Sequence, residues 1–157
     1  MKISALKNQR GASAVEFAIL LPLLALLIFG VVEFGILFHD QQVLTNASRE
    51  GARAAIVGEC VDRFDDAKIK AIVNNYCRYT SAGKTVDRLI TFAKTNQLPE
   101  TKVSPSERGC GSGVGLGTDV AVTVTFDYAF LAPGILGLGT KKTLTATTVM
   151  KMESDEK

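Results

Sequence analysis

The chain has 157 residues, of which 46% are hydrophobic and 22% are charged. This length leaves room for one membrane segment and one domain of about a hundred residues, and it excludes two globular domains. The formal net charge is +2, but Lys2, Lys7 and Arg10 all precede the first apolar run, so the other 15 basic residues face 16 acidic ones. The basic balance therefore belongs to the N-terminus, and no nucleic-acid partner is expected.

The first element is an apolar run over residues 18–32. Phe17 precedes the run, and Glu16 precedes Phe17. If Glu33 is tolerated near an interface, the span covers about residues 17–38, long enough to cross a hydrocarbon core of ~30 Å. The positive charges before the run predict a cytoplasmic N-terminus and a C-terminal part on the opposite side. A carboxylate at the edge of such a run is costly unless a partner pairs with it.

A secretory signal peptide is the alternative interpretation of this N-terminus. It is less favoured because the run is long and Phe38-His39-Asp40 makes a poor signal-peptidase junction.

Three segments carry a resemblance to a known family: Arg10-Gly-Ala-Ser-Ala-Val-Glu-Phe17, Ser48-Arg-Glu-Gly-Ala-Arg-Ala-Ala55 and Leu144-Thr-Ala-Thr-Thr-Val-Met-Lys-Met-Glu153. Together they resemble the TadE family of pseudopilins from Tad/Flp pilus assembly, whose N-terminus is like that of type IV pilins. The resemblance implies cleavage by a prepilin peptidase between Gly11 and Ala12, within a processing site that includes Glu16 and Phe17. It makes residues 1–11 a leader and Glu16 the fifth mature residue, facing the amino terminus of a neighbouring subunit.

The resemblance also implies partners and a location. The partners are the prepilin peptidase, other pseudopilins and the pilin of the Tad/Flp system, and an inner-membrane assembly platform, besides membrane lipid. The location is the bacterial inner membrane, with a single span and a periplasmic head.

Beyond the span, helical spacing continues, and we predict one long helix over residues 12–57, with Pro22 inside it and Gly58 as its cap. Ala47, Gly51 and Ala55 form a stripe of small residues on its outer half. Two interpretations remain open: the stripe packs against the sheet of its own chain, which is favoured, or it contacts the helix of a neighbouring subunit and serves assembly.

Residues 58–157 are predicted to form a small head. A second helix begins at Asp62 or Asp65 and continues to about Tyr79, with a break at Ser81-Ala-Gly83. Residues 86–93 could be a strand or a helical turn, and residues 101–104 a short extended piece.

A glycine-rich loop over residues 109–117 lacks the spacing of either nucleotide-binding fingerprint and is interpreted as a surface loop. Residues 120–128 alternate strictly, with Val120, Val122, Val124, Phe126 and Tyr128 on one face. Residues 144–152 form a second strand that can pair antiparallel with the first. The predicted class is therefore α+β, with a long helix, a short helix and a small, mostly antiparallel sheet.

Three cysteines allow at most one internal disulfide. Cys60 and Cys77 would lie about 20 Å apart at the two ends of one helix, too far for a bridge. Cys77 with Cys110 is the preferred pair. A metal centre built from the three thiols and His39 is less favoured because no Cys-x-x-Cys pair exists, so neither a metal nor a cofactor is expected.

Catalysis has little support, because a nucleophile would have to use His39 as its base. Three functions remain. The first is a minor pseudopilin of a Tad/Flp pilus or secretion machine, a substrate of assembly and not an enzyme. The second is a single-pass membrane-anchored periplasmic binding domain without processing. The third is a secreted enzyme or binding module.

Overall fold

The computed structural model describes residues 5–57, 65–81, 83–90, 98–105, 117–131 and 139–152, with side chains from residue 11 onward. Within them lie two helices and two small antiparallel sheets. The predicted α+β class is confirmed.

The long helix, α1, covers Ala5–Ile56 and continues through Pro22. Its start lies before the predicted residue 12, and its end is one residue short of the predicted residue 57, while Gly58 lies outside the described residues. Residues 11–32 contain no buried residue, whereas Glu33, Asp40, Leu44 and Ala47 are buried. The head therefore covers one face of the outer half of α1 and leaves the apolar half bare.

The larger sheet has three strands in the order β3-β4-β5, namely Glu100–Ser104, Asp119–Ala129 and Lys141–Lys151. Along β4 every second residue is buried, because the alternating valines and aromatics face α1 while threonines face outward. Strand β5 pairs antiparallel with β4 over their full lengths, with Ala129 opposite Lys141 and Asp119 opposite Lys151. Both predicted long strands are confirmed, although β5 begins three residues before the predicted Leu144.

The second helix, α2, covers Asp66–Cys77, and Asp65 is its N-cap, since its carboxylate accepts from the Ala67 amide at 2.9 Å. The prediction that it continues to Tyr79 is wrong. From Arg78 the chain is extended and forms a hairpin of β1, Arg78–Ser81, and β2, Lys84–Asp87. Gly83, which was predicted to break the helix, supplies the positive φ of 77° in this hairpin's turn.

The segment over residues 86–93, for which a strand and a helical turn were both left open, is a strand only at its first two positions, and residues 91–97 lie outside the described residues. After β2, the amide of Arg88 donates to the Cys77 carbonyl and that of Ile90 to the Asp40 carboxylate. The first bond continues the register of the hairpin by one position, and the second binds the segment to α1. The short extended piece at residues 101–104 is confirmed as β3, which pairs with the first half of β4.

The core lies between α1, α2 and the inner face of the sheet. It contains Leu44, Ile69, Val73 and the alternating residues of β4, all nearly inaccessible to solvent. At the end of the sheet nearest the apolar half of α1, Tyr128 and Phe130 pack edge to face with ring centroids 5.5 Å apart.

Candidate functional site

The residues of the predicted processing site lie together on the bare half of α1. Gly11, Ala12, Glu16 and Phe17 are all exposed, and a Cβ atom added at Gly11 would meet nothing within 4 Å. None of the described head residues covers this stretch. The segment is thus accessible from all sides in a single chain.

Glu16 has no partner in the part of the chain that the structure describes. No ion pair or hydrogen bond there involves its carboxylate, and none of residues 11–32 is buried. A carboxylate next to an apolar run is stabilised only by water at the interface or by a charge from another molecule. The described side chains supply no such charge.

Glu33, in contrast to Glu16, is buried by the head. Its side chain is 1% exposed and accepts hydrogen bonds from the Tyr128 hydroxyl at 2.6 Å and from the Leu131 amide at 3.0 Å. Both donors come from the end of β4 and the residues that follow it. The head therefore begins at the level of Glu33, and the hydrogen bonds to Glu33 fix the end of the sheet to α1. Burial and the bond to Glu33 raise the pKa of Tyr128 above its ordinary value, so the phenol stays a donor.

Asp40 is a second buried carboxylate, two helical turns further along α1. One of its oxygens accepts from the Ile90 amide at 2.9 Å and lies 3.2 Å from Nδ1 of His39, whereas the other has no hydrogen-bond partner among the described residues. Burial raises the pKa of this carboxyl, although the Ile90 and His39 contacts partly offset the increase. Asp40 thus connects α1 to the segment after β2.

The sequence contains a signal for the burial of both Glu33 and Asp40. Glu33 and Asp40 are seven residues apart, and Leu44, Ala47 and Gly51 follow at spacings of four, three and four. All five lie on one helical face. Because the later members of this series were expected to face the sheet, the acids on the same face could have been predicted to be buried as well.

The stripe of Ala47, Gly51 and Ala55 is covered by the chain's own head. Ala47 and Ala55 are inaccessible, and a Cβ atom at Gly51 would lie 2.8 Å from Cγ2 of Val73 and 3.2 Å from Cγ1 of Val122. The first of the two interpretations is therefore correct. The assignment of these residues to subunit assembly is wrong, because α2 and β4 already occupy the surface that a neighbouring helix would need.

Cys77 is a buried thiol at the end of α2 and forms no disulfide with a described residue. Burial raises its pKa to about 11, which keeps it protonated at neutral pH. Its predicted partner Cys110 lies outside the described residues, as does Cys60, so the pairing stays a prediction. Among the described side chains no three His, Cys, Asp or Glu residues are arranged to hold a metal ion.

Comparison with known proteins concerns the N-terminal part of the chain. Residues 11–53 match the family model of TadE-like proteins. This segment is TadE-like. The TadE-like segment includes the processing motif, the apolar run, Glu33 and Asp40, and it ends before α2 and without residues 144–153. It associates the chain with Tad pilus-related function, and its apolar helix is long enough to span a membrane. No curated protein and no solved structure matches the chain.

Proposed function

We propose that this protein is a minor pseudopilin of a Tad/Flp pilus or a related secretion machine. In this role a prepilin peptidase removes residues 1–11, α1 anchors the chain in the bacterial inner membrane, and the head lies in the periplasm. The partners are other pseudopilins, the pilin and the assembly platform. The head has no catalytic role and serves as an assembly module.

The contrast between the acids of α1 carries this proposal. Glu33 and Asp40 receive hydrogen bonds from the head, whereas Glu16 is exposed about 26 Å from Glu33 along the helix and receives none from the described chain. An unpaired carboxylate at the edge of the hydrocarbon is costly, so its partner is best sought in another subunit.

The amino group that cleavage creates at Ala12 is the partner that the chemistry favours. It carries a charge near neutral pH and lies at the same membrane level as Glu16 of a neighbour. As subunits pack and water leaves, the attraction between the two charges grows because the effective dielectric falls. Pairing also removes two charges that would each be costly alone, and it fixes the axial stagger between neighbours.

Substitution of Glu16 tests the proposal in cells that carry the assembly machine. Glu16→Ala and Glu16→Gln should still insert and should still be largely processed, since the apolar run directs insertion. Both should lose cross-linking to neighbouring pseudopilins and pilus assembly. The matched control is Glu50→Gln, which removes an exposed carboxylate from the outer half of the same helix and should assemble normally.

Normal assembly by the Glu16→Ala variant would contradict this mechanism. It would favour the alternative of a single-pass membrane-anchored periplasmic binding domain, which needs no processing and no Glu16.

A further inference from the structure

The end of the head nearest the apolar half of α1 has a definite composition, and we call it the membrane end. Here β4 finishes at Ala129 and β5 begins at Lys141, directly opposite. The adjacent pair places Lys142 opposite Tyr128, whose hydroxyl donates to Glu33. Lys141 and Lys142 therefore lie close to the level of Glu33 on α1.

Helix length places this level at the edge of the hydrocarbon. From Glu16 to Glu33 the rise is about 26 Å, whereas the hydrocarbon core of a bilayer is about 30 Å thick. If Glu16 marks one boundary, Glu33 lies slightly inside the other. The membrane end then meets the headgroups and the upper acyl chains of the leaflet on its side.

Apolar side chains at this level are exposed in a way that suits lipid. Phe34 is 57% exposed, Phe38 66% and Leu131 42%. Phe34 and Phe38 continue the bare surface of α1 past Glu33, and Leu131 adds a side chain from the head itself. Exposed apolar groups that continue a membrane-spanning surface are stabilised by acyl chains and not by water.

The described charges at this level that have no partner within the head are positive. Lys141 and Lys142 are both exposed, and successive strand residues point to opposite sides, so the two amines flank the end of the sheet. Neither forms an ion pair with a described residue. The nearby acids are engaged within the head, since Asp127 accepts from the Thr143 hydroxyl at 2.8 Å and Glu33 from Tyr128. Lysines so placed can extend their amines to the headgroup phosphates.

We propose that the membrane end of the head is a binding site for anionic phospholipid, in which Lys141 and Lys142 contact the headgroup while Phe34, Phe38 and Leu131 contact acyl chains. The proposal rests on α1 spanning the bilayer, and it requires neither processing nor pilus assembly. It gives the head a fixed depth, so that the sheet stands on the bilayer surface.

Depth is tested with single tryptophan reporters, because the chain contains no tryptophan. The full-length Leu131→Trp and Phe38→Trp variants are reconstituted in phosphatidylcholine vesicles whose acyl chains carry bromine near the headgroup. Both reporters should be quenched. The control, Val149→Trp, replaces a residue that is 57% exposed near the far end of β5 and should not be quenched.

Headgroup preference is tested with the Leu131→Trp reporter in mixtures of phosphatidylcholine and phosphatidylglycerol, with one or the other lipid brominated. The ratio of the two quenching constants should favour phosphatidylglycerol. Lys141→Gln and Lys142→Gln should each reduce this preference by up to about fivefold, as expected for a lysine at a charged membrane surface. Lys151→Gln is the matched control, because it removes the same charge from the far end of β5, about 33 Å from Lys141. This variant should retain the preference for phosphatidylglycerol.

The quenching results of the two experiments decide whether the lipid site exists. A Leu131→Trp reporter that is as poorly quenched as Val149→Trp overturns the site, and so does a preference that survives loss of both lysines. Equal quenching by the two lipids in the otherwise unchanged chain limits the contact to acyl chains and contradicts the anionic site. If alkaline carbonate extracts the chain from membranes, α1 does not span the bilayer, and the proposed lipid site is overturned as well.

Discussion

The carboxylate of Glu33 is buried where α1 meets the end of the sheet, and the Tyr128 hydroxyl is one of its two described donors. Tyr128→Phe keeps the ring in the core but removes that donor. A hydrogen bond to a charged group contributes about 1.5–3 kcal/mol. Amides of β4 and β5 in the full chain in micelles should therefore exchange hydrogen at least about tenfold faster.

Tyr79→Phe is the control for this substitution, because it removes a hydroxyl from a side chain that is 39% exposed. Its exchange rates should match those of the unchanged chain. Equal protection in the Tyr128→Phe variant would show that the Leu131 amide alone suffices to hold Glu33.

Asp40 gives the head a dependence on pH. Because burial raises its pKa above the ordinary value of about 4, the folded head holds the proton more tightly than the unfolded chain. The stability contributed by Asp40 is thus complete below about pH 4 and is lost as pH rises through the folded pKa.

Asp40→Asn removes this titration while keeping an oxygen that can accept from the Ile90 amide. Protection from hydrogen exchange is measured in the variant and in the unchanged chain at matched pH. As pH rises from 4 to 8, the protection of the variant should increase relative to that of the unchanged chain. A difference that is constant across this range would mean that Asp40 titrates at its ordinary value.

At the scale of elements, the contact between α1 and α2 depends on the absence of a side chain at Gly51. In Gly51→Ala the new Cβ would lie 2.8 Å from Cγ2 of Val73 and 3.2 Å from Cγ1 of Val122, and both of these branched side chains are fully buried. Overpacking costs about 1–3 kcal/mol, which exceeds the ~1 kcal/mol that alanine contributes to a helix. We expect a net loss of head stability, seen as faster exchange in α2 and β4.

Gly35→Ala is the matched control on the same helix, because nothing lies within 4 Å of a Cβ at that position. It should leave the exchange of α2 and β4 unchanged. If Gly51→Ala were equally neutral, the packing of α2 on this stripe would be looser than the contacts indicate.

How far the elements could be predicted depended on whether their determinants are local. Strand β4 follows from an uninterrupted alternation, and α1 from length and periodicity. The end of α2 at Cys77 has no such signal, since residues up to Tyr76 keep helical spacing. The hairpin after it is held by tertiary contacts, among them the Arg88 guanidinium over the rings of Tyr76 and Tyr79 at 4.6 and 5.1 Å.

The same distinction applies to the candidate site. Gly11, Ala12, Glu16 and Phe17 were predicted because their pattern is contiguous in the sequence. The environment of Glu33 depends on Tyr128, 95 residues later, and no local pattern connects the two. The small-residue stripe was visible in the sequence, but its partner was not, because one face of small residues suits a sheet and a second helix equally.

At the scale of the whole molecule, the head covers α1 from Glu33 to Ala55 and leaves residues 11–32 bare. Contacts between the spans of neighbouring subunits would therefore use this bare segment, where Glu16 is the one acidic residue. The head is fixed to the span by Glu33 and Asp40, so a displacement of the span at Glu16 would be transmitted to the head through a continuous helix.

The N-terminal residue of the protein isolated from membranes tests the central claim most directly, because the proposed pairing of Glu16 requires the amino group that the proposed cleavage would create. Edman sequencing of the mature chain should give Ala12, followed by Ser13 and Ala14. A chain that begins at Met1 or Lys2 would contradict processing and leave an anchored domain, and a chain that begins beyond about Phe34 would show that the apolar run is a signal peptide.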